Sequence, residues 1–273
     1  MEFKAEKVGT IDSGDVFYLA APLNNQIEAF REARITAPYI VLPEDVVDMR
    51  LAGVSNSGTR TSLTPIAVNG ENTILYKGSP WMYSPEMALV AVQAHKNGKY
   101  PQLSRDFYQA VKELANAQDG MEPEDRTAIV LSFKGDSQLT PQMPETRFAL
   151  GRRAKEYFEA KKHESIQFLD LNSDSKDSTD VNYSWFSDPL DGSYLDARSR
   201  YLDGHDDVAF GVFRNADEGA NSAKNSKYTL SQIGKANSQV IPAVMSEAGL
   251  SGLTDTIARP LSKGLLERLR NTK

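Results

Sequence analysis

The chain has no cysteine among its 273 residues. Disulfides, thiol nucleophiles and cysteine-held metals are therefore excluded. Nor is there an excess of positive charge: 31 lysines and arginines stand against 37 aspartates and glutamates, a net charge of -6. That excludes the basic surface needed for unspecific nucleic-acid binding and for adhesion to anionic membranes. No apolar run approaches the roughly 20 residues that span a bilayer. The first segment, Met1 to Ser13, is charged and lacks the apolar core of a secretory signal, so a cytoplasmic location is expected. No internal repeat or coiled-coil heptad is visible. What remains is ordinary globular usage, 40% hydrophobic and 25% charged, enough for a substantial core.

Along the chain, Asp15 to Ala21 reads as a strand and Asn24 to Arg34 as a helix with Ile27, Phe30 and Ala33 on one face. Tyr39 to Leu42 reads as a strand stopped by Pro43. Leu51 to Thr64, rich in Gly, Ser, Thr and Asn, reads as a loop without the Lys-Ser/Thr end of a phosphate-binding Walker loop. Pro65 to Val68 and Thr73 to Lys77 form a hairpin about Asn69-Gly70. Helices follow, one capped by Ser84 with Pro85 at its first position, the next from Ser104 to Asn116. The polar stretch Asp119 to Arg126 divides the chain into an N-terminal α/β segment, 1–120, and a segment 121–273 that ends in helices. Beyond it, Thr127 to Phe133 reads as a buried strand, Arg147 to Ala160 as a helix, Ser165 to Leu169 as a strand, and Asn172 to Asn182 as a polar loop. Val208, Phe210 and Val212 alternate as a strand does. The last stretch, Thr254 to Arg270, carries Leu261, Leu265, Leu266 and Leu269 on one helical face, which suits the core or a second copy of the chain. The class expected is α/β (or α+β), with layered helices and a mixed sheet.

The chemistry concentrates between Trp185 and Phe213. Tyr183, Trp185 and Phe186 read as the end of a strand, which places Asp188 at a strand's carboxyl end, where α/β sheets hold ligands. Pro189 forces a turn, and Asp191 is aimed at the same volume. Two carboxylates that close repel unless a cation neutralises them, and Mg²⁺ takes such oxygen ligands. Gly192 allows close backbone approach, and Ser193 suits the start of a helix whose free N–H groups bind an anion. The structural alternative is a plain turn, since Asp-Pro and Asp-Gly are common turn pairs.

Asp188-Pro189-Leu190-Asp191-Gly192-Ser193, preceded by Trp185, resembles the D-P-[LI]-D-G-[ST] signature of the inositol monophosphatase and fructose-1,6-bisphosphatase superfamily. Upstream, Lys134-Gly135-Asp136-Ser137-Gln138-Leu139-Thr140 is similar to that family's K-x-D-x-S-x-x-T stretch. The resemblance covers residues 129–213 and implies a sugar-phosphatase-like half-domain. By position it implies metal ligation by Asp188, the Leu190 carbonyl and Asp191, with Asp170 or Asp174 as a further ligand. It also implies phosphate binding by Gly192 and Ser193, and orientation of the attacking water by Thr140. The chain departs from the pattern at Met143, where the family has an aspartate. It also lacks a W-D-x-A motif, since neither Trp81 nor Trp185 precedes Asp.

The function so implied is Mg²⁺-dependent hydrolysis of a small phosphate monoester, the partner being a small phosphorylated metabolite. Two metals would stabilise the entering and leaving oxygens. The alternative from another class is a non-catalytic binding or assembly protein that retains the half-fold. Two weaker alternatives are a nucleotide-sugar enzyme built on Tyr18 to Ala21, and a phosphohydrolase using His205, Asp206 and Asp207.

Overall fold

The computed structural model describes residues 5–32, 40–77, 85–187, 193–198 and 208–213, with the backbone alone for 27, 28, 30–32, 85–87 and 208–213. Among them the chain forms β1 (Glu6–Ile11), β2 (Gly14–Ala20), α1 (Leu23–Glu32), α2 (Pro43–Leu51), β3 (Thr59–Thr61), β4 (Thr64–Ala67) and β5 (Ile74–Tyr76). Next come α3 (Pro85–Lys96), β6 (Gln102–Ser104), α4 (Arg105–Ala117), a 3₁₀ turn (Pro123–Asp125), β7 (Ala128–Val130) and β8 (Ser137–Leu139). The described part ends with α5 (Pro144–Leu150), α6 (Ala154–Lys161), β9 (Ile166–Leu169), β10 (Ser178–Val181), β11 (Ser184–Ser187), β12 (Tyr194–Asp196) and β13 (Val208–Phe213). The result is a mixed α and β structure with two sheets, ordered β1-β2-β13-β3-β11-β12-β9-β8 and β6-β10-β4-β5-β7. Only β12–β9 and β13–β3 are parallel among the described pairings; the rest are antiparallel.

Successive strand residues point to opposite faces, and in the five-stranded sheet both faces are apolar. Ile66, Ile74 and Ala128 join one core with Ala88, Ala91 and Val92 of α3 and Phe107, Tyr108 and Val111 of α4. Their neighbours Ala67, Leu75 and Ile129 join a second core with Val46, Val47 and Met49 of α2, Phe148 of α5, and Tyr157 and Phe158 of α6. In the eight-stranded sheet, Leu139, Ile166, Phe168, Phe186 and Leu195 face that second core. Their alternates Gln138, Gln167, Leu169, Trp185, Ser187, Tyr194 and Asp196 are exposed or half-buried, so this part of the sheet turns one face outward.

Several elements follow from local rules. Gly70 takes φ 82 in the turn between β4 and β5, as the Asn-Gly pair requires. Ser104 caps α4 by accepting a hydrogen bond from the Phe107 N–H. Others depart from the sequence reading. Pro43 does not stop a strand; it opens α2, where Glu44 and Asp45 sit in the first turn and the Asp45 carboxylate accepts from the Leu42 N–H at 2.8 Å. A proline lacks only an N–H that the first turn leaves unpaired anyway. The span 51–64 contains the buried strand β3, polar in composition yet held by Thr61 Oγ1 against Ser184 Oγ at 2.7 Å. The span 172–182 likewise contains β10, whose Asp180 accepts from Gln102 and Ser173. The single helix expected over 147–160 is two, α5 and α6, separated at Gly151 with φ 73. Both sheets take strands from either side of residue 120, through β5–β7, β3–β11 and β2–β13. Among the described residues no helix is long and apolar enough to cross a membrane. The stretches expected as strand or helix beyond residue 213 lie outside the described residues, as do His205, Asp206 and Asp207.

Candidate functional site

β11 and β12 pair antiparallel with Ser187 opposite Tyr194, so residues 188–193 connect two adjacent strands. Asp188, Leu190, Asp191 and Gly192 lie outside the described residues. Ser193 is described, and it precedes a strand, not a helix. The helix N-terminus expected to bind an anion there is absent, because Tyr194, Leu195 and Asp196 pair with β9 and β11. Thr140 ends the β8 side of the same sheet edge. β8 and β9 pair with Leu139 opposite Ile166, and the Gln167 N–H donates to the Ser193 carbonyl at 3.1 Å. At about 4.8 Å per strand, Thr140 and Ser193 stand roughly 10 Å apart on one edge.

Asp170 is elsewhere. It follows the other end of β9, opposite Ala197, four residues along and so roughly 13 Å from Ser193. Its carboxylate is taken up by the fold. Oδ1 accepts from Thr73 Oγ1 at 2.6 Å and from the Leu171 N–H at 2.7 Å, and Oδ2 from the Gly135 N–H at 2.9 Å. These bonds brace three loops around the carboxylate. Asp174 contributes its carbonyl, which accepts from Asn69. Among the described residues no group of three or more His, Asp or Glu is arranged to hold a metal ion.

What the structure assembles around Ser193 is a buried hydrogen-bonded row. Arg50 of α2 donates from Nη1 to Tyr157 Oη at 2.8 Å, and from Nη2 to the Phe186 carbonyl at 3.3 Å. Its guanidinium lies 4.2 Å over the Phe186 ring, where a cation is attracted to the aromatic face. Tyr157 Oη is 2.8 Å from Ser193 Oγ, which is 3.0 Å from His163 Nε2. Tyr157, Ser193 and Arg50 are 0, 3 and 5% exposed. The row fixes the start of β12 from beneath.

On the other side of the same strands lies the outward face. Trp185 stands directly across from Asp196 and Arg60, and Tyr194 across from Ser187 and Gln167. Trp185 and Tyr194 are thus diagonal neighbours on one face, close enough for aromatic side chains to interact. Gly58 lies against the indole: a Cβ there would meet Trp185 Cζ2 and Ser187 Oγ, both at 2.9 Å. Asp136 and Arg198 form an ion pair of 3.2 Å beyond Asp196, about two-fifths exposed each. Sequence reasoning missed this face because it took Asp-Gly as the approach to a helix. The same pair between alternating strands is also a hairpin signal.

A separate cleft of about 960 Å³ opens on the helical side, lined among others by Asp45, Asp48, Lys77, Glu124, Arg152 and Arg153. Its cations are matched by carboxylates: Lys77 with Glu44, Arg152 with Asp125, and Arg153 with Glu156 and Asp48. Burial pushes the Asp48 carboxyl up to about 6, against the pull of Arg153.

No family model and no curated protein matches the chain. It is similar to a solved structure described as accommodation of massive sequence variation in Nanoarchaeota by the C-type lectin fold. The TM-score is 0.47 and the identity 14%, over 78% of this chain and 98% of that one. That fold is not the fold of the inositol monophosphatase superfamily, and the resemblance drawn over residues 129–213 is corrected accordingly. The physical reason lies in the motif's composition: Asp, Pro and Gly are what a tight connection between strands requires, whatever the fold.

Proposed function

We propose that the chain is a non-catalytic binding protein, and that its recognition surface is the outward face of β11, β12 and β9, with a protein as partner. The observation that carries this is the pair Trp185 and Tyr194 side by side on a sheet face whose other side is packed rigidly. Large aromatics supply contact area at low entropy cost, and around them stand adaptable hydrogen-bonding groups, Gln167, Gln138 and Ser187. The Asp136–Arg198 pair gives the rim both signs of charge. A central aromatic pair inside a polar, charged rim is the anatomy of a protein-binding surface.

The test is site-specific photocrosslinking in cells that make the protein, with the photoreactive residue at Gln167 or, on the helical side, at Arg152. The partner captured from Gln167 is then purified and its affinity measured. Trp185→Ala is expected to weaken it about 30-fold, near the 2 kcal/mol that marks a hot spot. Equal capture from both positions, or an affinity unmoved by Trp185→Ala, sinks the proposal. Mg²⁺-dependent hydrolysis of a phosphate monoester is the competing proposal, which keeps Thr140 and Ser193 on one sheet edge beside the 188–192 connection. Phosphate release from sugar phosphates in millimolar Mg²⁺, abolished by Asp188→Asn, would decide for it.

A further inference from the structure

We propose that Gly58 positions the Trp185 indole on the outward face, by leaving its own place on the sheet bare. Between β3 and β11, Thr59 stands opposite Phe186 and Arg60 opposite Trp185. One step further along, Gly58 comes opposite Ser187. Residues opposite one another, and residues two apart in a strand, share a face. Gly58 therefore belongs to the face of Trp185, Ser187 and Tyr194, and has no side chain to put on it. The indole edge takes that space: a Cβ at Gly58 would lie 2.9 Å from Trp185 Cζ2, 3.0 Å from its Nε1 and 2.9 Å from Ser187 Oγ. A glycine in such a row marks close approach by another group, and an aromatic neighbour covers it.

Two further observations set Gly58 apart from an ordinary loop glycine. Its φ is not positive, so no left-handed backbone calls for glycine there, and the requirement is one of space. The side chain directly across from Trp185 also stays clear of the row. Arg60 is 3% exposed, and its guanidinium lies 5.7 Å from the centroid of the Tyr183 ring. Tyr183 comes two residues before Trp185, whereas Ser187 comes two residues after it. Arg60 thus leans along β11 away from Gly58 and leaves that row to the indole.

Carbon atoms settle at about 3.5 Å or more, so a methyl at Gly58 must displace what it meets. The Ser187 hydroxyl clears it by one rotation about its own χ1. The indole is a rigid plate on two side-chain torsions, so it must swing as a whole and leave the row. The bare glycine therefore fixes how Trp185 is presented before any partner arrives. A group already held in its bound orientation loses less freedom on association. The effect on binding rests on the proposed recognition surface; the seating of the indole needs no partner to be tested.

The chain has two tryptophans, Trp81 and Trp185. In a Trp81→Phe background, the decay of fluorescence anisotropy therefore follows Trp185 alone. The indole is expected to turn only with the whole molecule in that background, and to gain a fast local component in Gly58→Ala. Urea melts complete a double-mutant cycle. Gly58→Ala is expected to lower the midpoint while Trp185 is present, and to lower it no further once Trp185→Ala has removed the ring. The affinity of the partner captured from Gln167 is expected to fall several-fold in Gly58→Ala, by less than in Trp185→Ala. An indole as immobile in Gly58→Ala as before overturns the assignment. So does a midpoint loss that persists without the ring, or an affinity that needs Trp185 yet ignores Gly58→Ala. Failure to capture any partner at Gln167 counts against the recognition surface alone, and the first two measurements still decide the role of Gly58.

Discussion

Asp48 sits on α2 with its side chain a quarter exposed, 3.2 Å from Arg153 and near Asp45 and Asp12. Loss of water around the carboxylate outweighs the attraction to Arg153, so its pKa rises from 3.8 to about 6. The sign follows. A group that binds its proton more tightly when folded adds stability below the unfolded pKa, and that stability is lost as pH rises through the folded value. Between pH 7 and pH 5 the protein should therefore gain stability. The full linkage of about 1.36 kcal/mol per unit is reduced by solvent at this partly exposed site, leaving a gain of about 1 kcal/mol. Asp15 and Glu71 behave oppositely, held below the usual carboxylate range by Lys7 and Lys112, and their loss falls at more acid pH. Urea melts at pH 7 and pH 5 should show the gain in the native chain and its absence in Asp48→Asn. An equal gain in both would assign it to another group. At this scale the sequence named acidic residues without revealing which were free. Asp170 was legible as a carboxylate after a strand, but its three donors come from Thr73, Gly135 and Leu171, and two of those are remote in sequence.

At the scale of elements, the break between α5 and α6 is the most sharply determined feature. Gly151 ends α5 with φ 73, and a Cβ there would lie 2.9 Å from the Cβ of Glu44. Glu44 has little room to give, since its carboxylate is held by Lys77 at 2.8 Å. With ψ at -166, this is a backbone conformation essentially confined to glycine; it costs a residue with a side chain about 1–3 kcal/mol, and the close contact adds to it. Gly151→Ala should lose about 2 kcal/mol or more in denaturant unfolding. Gly120→Ala, in open space without a positive φ, should be near neutral. Similar losses at both positions would refute the steric account. The same break was hidden in sequence, because Arg147 to Ala160 keeps a helical pattern across the glycine. The β4–β5 hairpin and the α4 cap were visible because each depends on residues adjacent in the chain. β3 and β10 were not, because their polar residues are paid for by partners far along the chain, Thr61 by Ser184 and Asp180 by Gln102.

For the whole molecule, both sheets join strands from either side of residue 120. β7 pairs with β5, β11 with β3, and β13 with both β2 and β3. Expressed alone, residues 121–273 would leave those strand edges and the apolar face of β7 without partners. The fragment should lack a cooperative thermal transition in calorimetry, while the full chain shows one. A fragment that melts cooperatively would show an independent C-terminal unit.

Composition and local pattern by themselves determined that no cysteine chemistry operates, that the surface is net acidic, that helices and strands are mixed, and where the Asn-Gly turn and the Ser104 cap fall. These follow from counts and from neighbours in the chain. The tertiary structure alone decided that Asp170 braces loops, that Ser193 leads a strand, and that Trp185 and Tyr194 share an outward face above Arg50, Tyr157 and His163. Each of those outcomes depends on strand register and on contacts between residues many positions apart. A short motif of Asp, Pro and Gly cannot encode them, because residues of these types suit turns in many folds.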